Sequence, residues 1–136
     1  MKLIGLDVGE RRIGVAVSDP LGKTAQPLKT IERDDHIDEQ IAELVRSTGA
    51  ERLVVGLPLL MNGKEGAQAG LVREFAQGLS RSLGLPLDFV DERLTTKEAE
   101  TVLAQSGLKH GKKREASDRL AAALILRAYM DRMPEE

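Results

Sequence analysis

The sequence predicts an α/β fold: a mixed five-stranded sheet with helices on both faces. Three observations predict it. Two short apolar runs open the chain in hairpin order, two later buried runs each follow a helical stripe, and a closing segment is apolar all round. At 136 residues the chain has the length of one domain of about 100–200 residues, so residues 1–136 are read as a single unit.

The run from Lys2 to Val8 and the run from Ile13 to Val17 read as two strands joined by Gly9-Glu10-Arg11-Arg12. Asp19-Pro20-Leu21-Gly22 is a turn, and Thr24 to Ile31 reads as a third strand, placed at an edge by Pro27. Ile37, Ile41, Leu44 and Val45 form the face of a first helix, with Asp34 or Asp35 to cap it and Gly49 to stop it. Arg52 to Gly56 is a buried strand and Pro58 to Gly66 a loop. A second helix carries the stripe Leu71, Val72, Phe75, Leu79 and Leu83, ended by Gly84, and Leu85 to Val90 is the fifth strand. Thr95-Thr96-Lys97-Glu98 is a capping box, so a third helix is expected after Thr95, ending near Gly107. Leu120 to Leu126 marks a last helix packed deep in the fold. Three hairpin-connected strands followed by β-α-β crossovers make the strands starting at Lys2, Arg52 and Leu85 parallel. This is the layout of ribonuclease H-like domains and of half an actin-like ATPase.

Composition narrows the chemistry. With no cysteine, disulfides, thiol nucleophiles and iron–sulfur clusters are excluded, and metal must be held by oxygen ligands or by His36 and His110. Neither histidine has ligand spacing, and both are expected at the surface in weakly ordered segments. Phe75, Phe89 and Tyr129 are the only aromatics, which argues against base stacking on aromatic platforms. The net charge of -2 means that nucleic-acid binding requires a local basic patch. No apolar run reaches the ~18 residues of a membrane span, and Met1-Lys2 leads directly into strand-like sequence. A cytoplasmic protein with no membrane association is expected.

Three carboxylates stand out. Asp7 lies inside an apolar strand on the face of Leu3 and Gly5, where an ionised group is costly without a partner or cation; the plainer reading is a buried cap on the Gly9 turn. Asp91-Glu92 follows the fifth strand at the carboxyl edge, where open α/β sheets place their sites. Acids there can serve a helix dipole, but Thr95 and Glu98 already supply that cap. Asp118 is expected in the first turn of the last helix, with Ser117 as an alternative cap, on the face of Ala121, Ala122 and Ile125. The topology brings Asp7, Glu92 and Asp118 towards one sheet edge, where unneutralised they repel one another. Mg²⁺ or Mn²⁺ resolves that conflict, and a pair of such ions about 3.5–4 Å apart suits phosphodiester hydrolysis. Lys109-His110-Gly111-Lys112-Lys113-Arg114 carries four cations just before Asp118, and Arg11 and Arg12 follow Asp7. Lys109, Lys112, Lys113, Arg114, Arg11 and Arg12 are therefore candidate phosphate contacts, the plainer reading being solvated loops.

Four segments in order, Ile4-Gly-Leu-Asp-Val-Gly-Glu-Arg-Arg-Ile-Gly-Val-Ala-Val-Ser-Asp19, Val55-Gly-Leu-Pro-Leu-Leu-Met-Asn-Gly63, Asp91-Glu-Arg-Leu-Thr-Thr96 and Asp118-Arg-Leu-Ala-Ala-Ala-Leu-Ile-Leu126, resemble the motifs of the YqgF (RuvX) family. The resemblance implies a ribonuclease H-like fold and a cytoplasmic, metal-dependent nuclease. The substrates it implies are structured RNA, through maturation of the 5′ end of pre-16S rRNA, or branched DNA, through Holliday junction resolution. It places Asp7, Glu92 and Asp118 at the family's acidic metal positions and Asp91 at a neighbouring acidic position of open role. Three positions depart from the family pattern: Leu60 stands for a polar residue, Asn62 for Asp, and Ser117 for an apolar residue. A resolvase that makes paired symmetric cuts is expected to be a homodimer. Two rivals stand beside this reading. Asp7 to Gly14 also resembles the phosphate-binding hairpin of actin-like ATPases and sugar kinases, and a non-catalytic nucleic-acid-binding module would need no metal.

Overall fold

The computed structural model describes residues 1–94, 105 and 110–133. Strands β1 (Leu3–Val8), β2 (Arg12–Ser18), β3 (Ala25–Glu32), β4 (Arg52–Leu57) and β5 (Leu87–Asp91) form one sheet in the order β3-β2-β1-β4-β5. β1, β2 and β3 are antiparallel neighbours, whereas β4 and β5 run parallel to β1 through the crossovers that hold helices α1 (Ile37–Thr48) and α2 (Ala67–Leu83). Helix α3 spans His110–Arg132. The expected mixed sheet and strand directions are thus observed, with β3 on the edge and Pro27 accommodated beside a register shift between Val15 and Ala16.

Alternation along β1 separates two cores. Ile4, Leu6 and Val8 pack with Ile41 of α1 and with Val72, Ala76 and Leu79 of α2. Leu3 faces the other way, towards Ala122, Ile125 and Leu126 of α3. Asp7 shares that second face, so the strand repeat delivers its carboxylate to α3.

Several boundaries differ from expectation. α1 is flanked by His36, which gives no side-chain cap; Asp34 instead accepts the His36 N–H at 2.8 Å and orders the turn one step earlier. The α2 stripe is rotated: Ala69 and Ala76 are buried, and Leu71 is exposed. β5 begins at Leu87 because Leu85 is used in closing α2, donating its N–H to the Ser80 carbonyl at 3.2 Å. Gly49 and Gly84 do end α1 and α2, both in the left-handed region. The largest correction concerns α3. It starts at His110, so Asp118 and Ser117 lie about two turns inside the helix and neither caps it. The expected third helix after Thr95, residue Lys109, and the side chains of His110, Lys112 and Lys113 lie outside what is described. Among the described residues no helix is long and apolar enough to cross a membrane.

Candidate active site

The three acids approach the same edge of the sheet by three routes. Asp7 is the penultimate residue of β1, opposite Gly14 on β2. Asp91 is the last residue of β5 rather than the first beyond it, and it pairs with Leu57 at the end of β4. Glu92 then opens a short 3-10 turn, Glu92–Leu94. Asp118 comes from α3, which lies close against the sheet because Gly14 has no side chain: a Cβ there would run into the Asp118 carbonyl. Gly56 on β4 does the same for Ile125, and its open side lies 3.5 Å from the Glu92 carboxyl carbon.

Electrostatics follow from that convergence. Asp7 is partly buried, hydrogen-bonded with Glu92, and within the field of Asp118. Burial first, then the two neighbouring acids, push its pKa from 3.8 up to about 9, so at neutral pH the group holds a proton in place of a cation. Asp118 has a cationic partner: its Oδ2 accepts the Arg12 Nε–H at 2.7 Å. Among the described residues no three acids or histidines close on one point as a finished cage. The donor set nonetheless fits a hard divalent cation, because it is all carboxylate oxygen and carries more negative charge than Arg12 can balance. His36 stays at the surface, its side chain 72% exposed, and takes no part.

The basic candidates separate. A cleft of about 440 Å³ is lined by Gly9, Glu10, Arg11, Arg12, Arg114 and Asp118, so three of the predicted phosphate contacts border one acid. Arg12 is already paired with Asp118, while Arg11 and Arg114 are exposed. A larger groove of about 940 Å³ lies between α1 and α2, and none of the three acids lines it.

Sequence reasoning missed Arg93. Its Nε and Nη2 bind both carboxylate oxygens of Asp91, at 3.0 and 2.6 Å, and its Nη1 binds the Met61 carbonyl at 3.1 Å. That grip holds the Asp91 carboxyl below the usual carboxylate range. The signal was present as an acid and an arginine two residues apart.

The family model for RuvX, Holliday junction resolvase, matches residues 1–132. A protein of Moorella thermoacetica named as a pre-16S rRNA nuclease is 51% identical over 135 residues, covering 98% of this chain and 96% of its own. A Syntrophus aciditrophicus protein of the same name is 48% identical over 138 residues, covering 100% of this chain and 92% of its own. Among solved structures, Thermus thermophilus RuvC in complex with a Holliday junction substrate superposes with a TM-score of 0.61 at 18% identity, covering 97% of each chain. The fowlpox virus resolvase bound to Holliday junction DNA gives 0.57 at 14% identity, covering 96% of this chain and 97% of that one. At such identities the structures speak for the fold, which is that of ribonuclease H-like resolvases.

Proposed function

This chain belongs to the RuvX family of Holliday junction resolvases, and from that premise we propose that it is a divalent-metal-dependent endonuclease maturing the 5′ end of pre-16S rRNA. It is a hydrolase of the nuclease class. The observation that supports the reading is the Asp7–Glu92 hydrogen bond within the field of Asp118, which lines a cleft with Arg11, Arg12 and Arg114. The substrate follows from the names of the relatives that cover the whole chain.

Asp7, Glu92 and Asp118 would hold Mg²⁺ or Mn²⁺, which when bound supplies charge stabilisation at the phosphoryl oxygens and an activated water. The chain's own contribution is positional. Asp7 and Glu92 are fixed at the ends of β1 and β5, and Asp7 would have to be ionised to hold the cation. Arg12 holds Asp118 by an ion pair at 2.7 Å and lines the same cleft. Arg11 and Arg114 border the same cleft and hold the backbone by charge, without reading sequence.

The decisive experiment supplies the purified chain with Mn²⁺ or Mg²⁺ and either 5′-extended precursor 16S RNA or a synthetic four-way DNA junction. Cleavage of the RNA, lost with chelator and in Glu92→Gln, is expected. Failure to cut either substrate would overturn the reading. Cleavage of the junction alone would favour the second reading, resolution of branched DNA, which the family's description supports. Paired symmetric cuts would then go with a two-fold dimer in sedimentation.

A second expectation concerns the cleft. Arg11→Ala and Arg114→Ala should each weaken binding about equally for all sequences, and each should reduce the slope of log affinity against log salt by about 1. An unchanged slope in both variants would remove the cleft from the backbone path.

A further inference from the structure

The three aromatic side chains are all engaged within the protein. Arg33 lies over Phe75 and Arg73 over Phe89, each 4.6 Å from the ring centroid, and Tyr129 donates its hydroxyl to Asp88. Any apolar contact with a base must therefore come from elsewhere. Beside the acids, the loop between β4 and α2 offers one. Met61 at its tip is 94% exposed and Leu60 is 50% exposed.

A single exposed methionine on a surface needs no explanation. This one sits on a loop that is built to stay put. Leu59 packs into the core, the Leu60 N–H donates to the Lys64 carbonyl at 2.9 Å, and the Gly63 N–H donates to the Leu60 carbonyl at 2.8 Å. The Leu60 side chain lies over Gly66, where a Cβ would come within 2.9 Å of it. Above all, Arg93 bridges the Met61 carbonyl and the Asp91 carboxylate, on either side of Glu92 in the chain. One guanidinium thus sets both the loop tip and the turn that carries a candidate metal ligand.

We propose that loop 58–66 is a base-contacting element of the substrate site. Its apolar tip, Leu60 and Met61, seats against an unstacked base beside the phosphate to be cut, and the Asp91–Arg93 brace sets its distance from Glu92. A base that leaves its stack presents a flat apolar face, and unbranched, polarisable methionine adapts well to a flat ring. The assignment gives Asp91 a positioning role, since Arg93 occupies both of its oxygens. It also explains how a chain with so few aromatics could distinguish an unpaired site from a plain duplex. The proposal rests on the nuclease reading.

The test uses the full chain carrying Asp7→Asn, so that substrate stays intact. The probes are an RNA hairpin with 2-aminopurine at an unpaired position, a four-way DNA junction with 2-aminopurine at the branch, and a fully paired duplex. Binding of the parent to the first or second probe is expected to change the 2-aminopurine fluorescence. Met61→Ala should abolish that change and weaken binding about tenfold, as expected for losing one buried methionine contact, with less than a twofold effect on the duplex. Met61→Leu should keep both, and Arg93→Gln should lose the fluorescence change like Met61→Ala. At position 61, which is so exposed, substitution leaves folding intact. Equal weakening on paired and unpaired probes, or an unaltered fluorescence change in Met61→Ala, would overturn the proposal while leaving the nuclease reading standing. A parent that bound none of the probes would overturn both.

Discussion

Asp7→Asn should cost at least about a thousandfold in cleavage, some 4 kcal/mol of barrier, and yet make the metal-free protein more stable. Both effects have one cause. In the fold, Asp7 has a pKa of about 9 against 3.8 as an ordinary side chain, because burial and two neighbouring acids oppose its charge. Between those values the folded state binds a proton that the unfolded chain has released. Stability therefore is fully present below about pH 4, falls as pH rises, and is lost to this group above about pH 9. At pH 7 the cost is about 4 kcal/mol, which asparagine removes while keeping a hydrogen-bonding partner for Glu92. In chelator, the melting temperature of Asp7→Asn should exceed that of the parent by roughly 5–10 °C at pH 7, and its fall between pH 5 and 9 should flatten. Mn²⁺ should stabilise the parent and leave the variant unmoved, since binding to the native state alone is what raises stability. Matching pH profiles for the two proteins, or metal-dependent cleavage retained by the variant, would contradict this account.

How much of this was visible in the sequence depends on the kind of residue. β1 was legible because a period of two is unambiguous over six residues, and it correctly put Asp7 opposite Ile4, Leu6 and Val8. The strand directions followed from connection rules acting on short, well-punctuated runs. The start of α3 was not legible. Lys112, Lys113 and Arg114 read as a charged loop, yet lysine and arginine are good helix formers, and Gly111 close to the start does not stop a helix that packs over ten residues later. That error moved Asp118 from a helix cap to a helix interior. There its ion pair with Arg12, 106 residues away, could not be read from local spacing. The Asp91–Arg93 pair had a local signal in its spacing, but its third partner is a backbone carbonyl, which leaves no trace in residue identity.

Gly14→Ala should cost about a hundredfold in activity, although it changes one hydrogen to a methyl and touches no carboxylate. A Cβ at residue 14 would overlap the Asp118 carbonyl group and come 3.0 Å from the Arg119 nitrogen, all of it helix backbone that cannot rotate away. α3 must then lift from β2, carrying Asp118 from Arg12 and from the end of β1 where Asp7 lies. Misplacement of about 1 Å at reacting groups costs about a hundredfold in rate, and overpacking at such a contact costs about 1–3 kcal/mol of stability. The two losses should appear together, as a fall in kcat and a lowered melting temperature. Gly70→Ala is the control. Residue 70 lies in α2 with nothing within 4 Å of its would-be Cβ, so alanine there should raise stability by about 0.5–1 kcal/mol through helix propensity. If Gly14→Ala behaved like Gly70→Ala, α3 would not be resting on that glycine, and the route that brings Asp118 to the other two acids would have to be different. A glycine in mid-strand commonly marks a close approach of another backbone. Here the approach delivers a carboxylate.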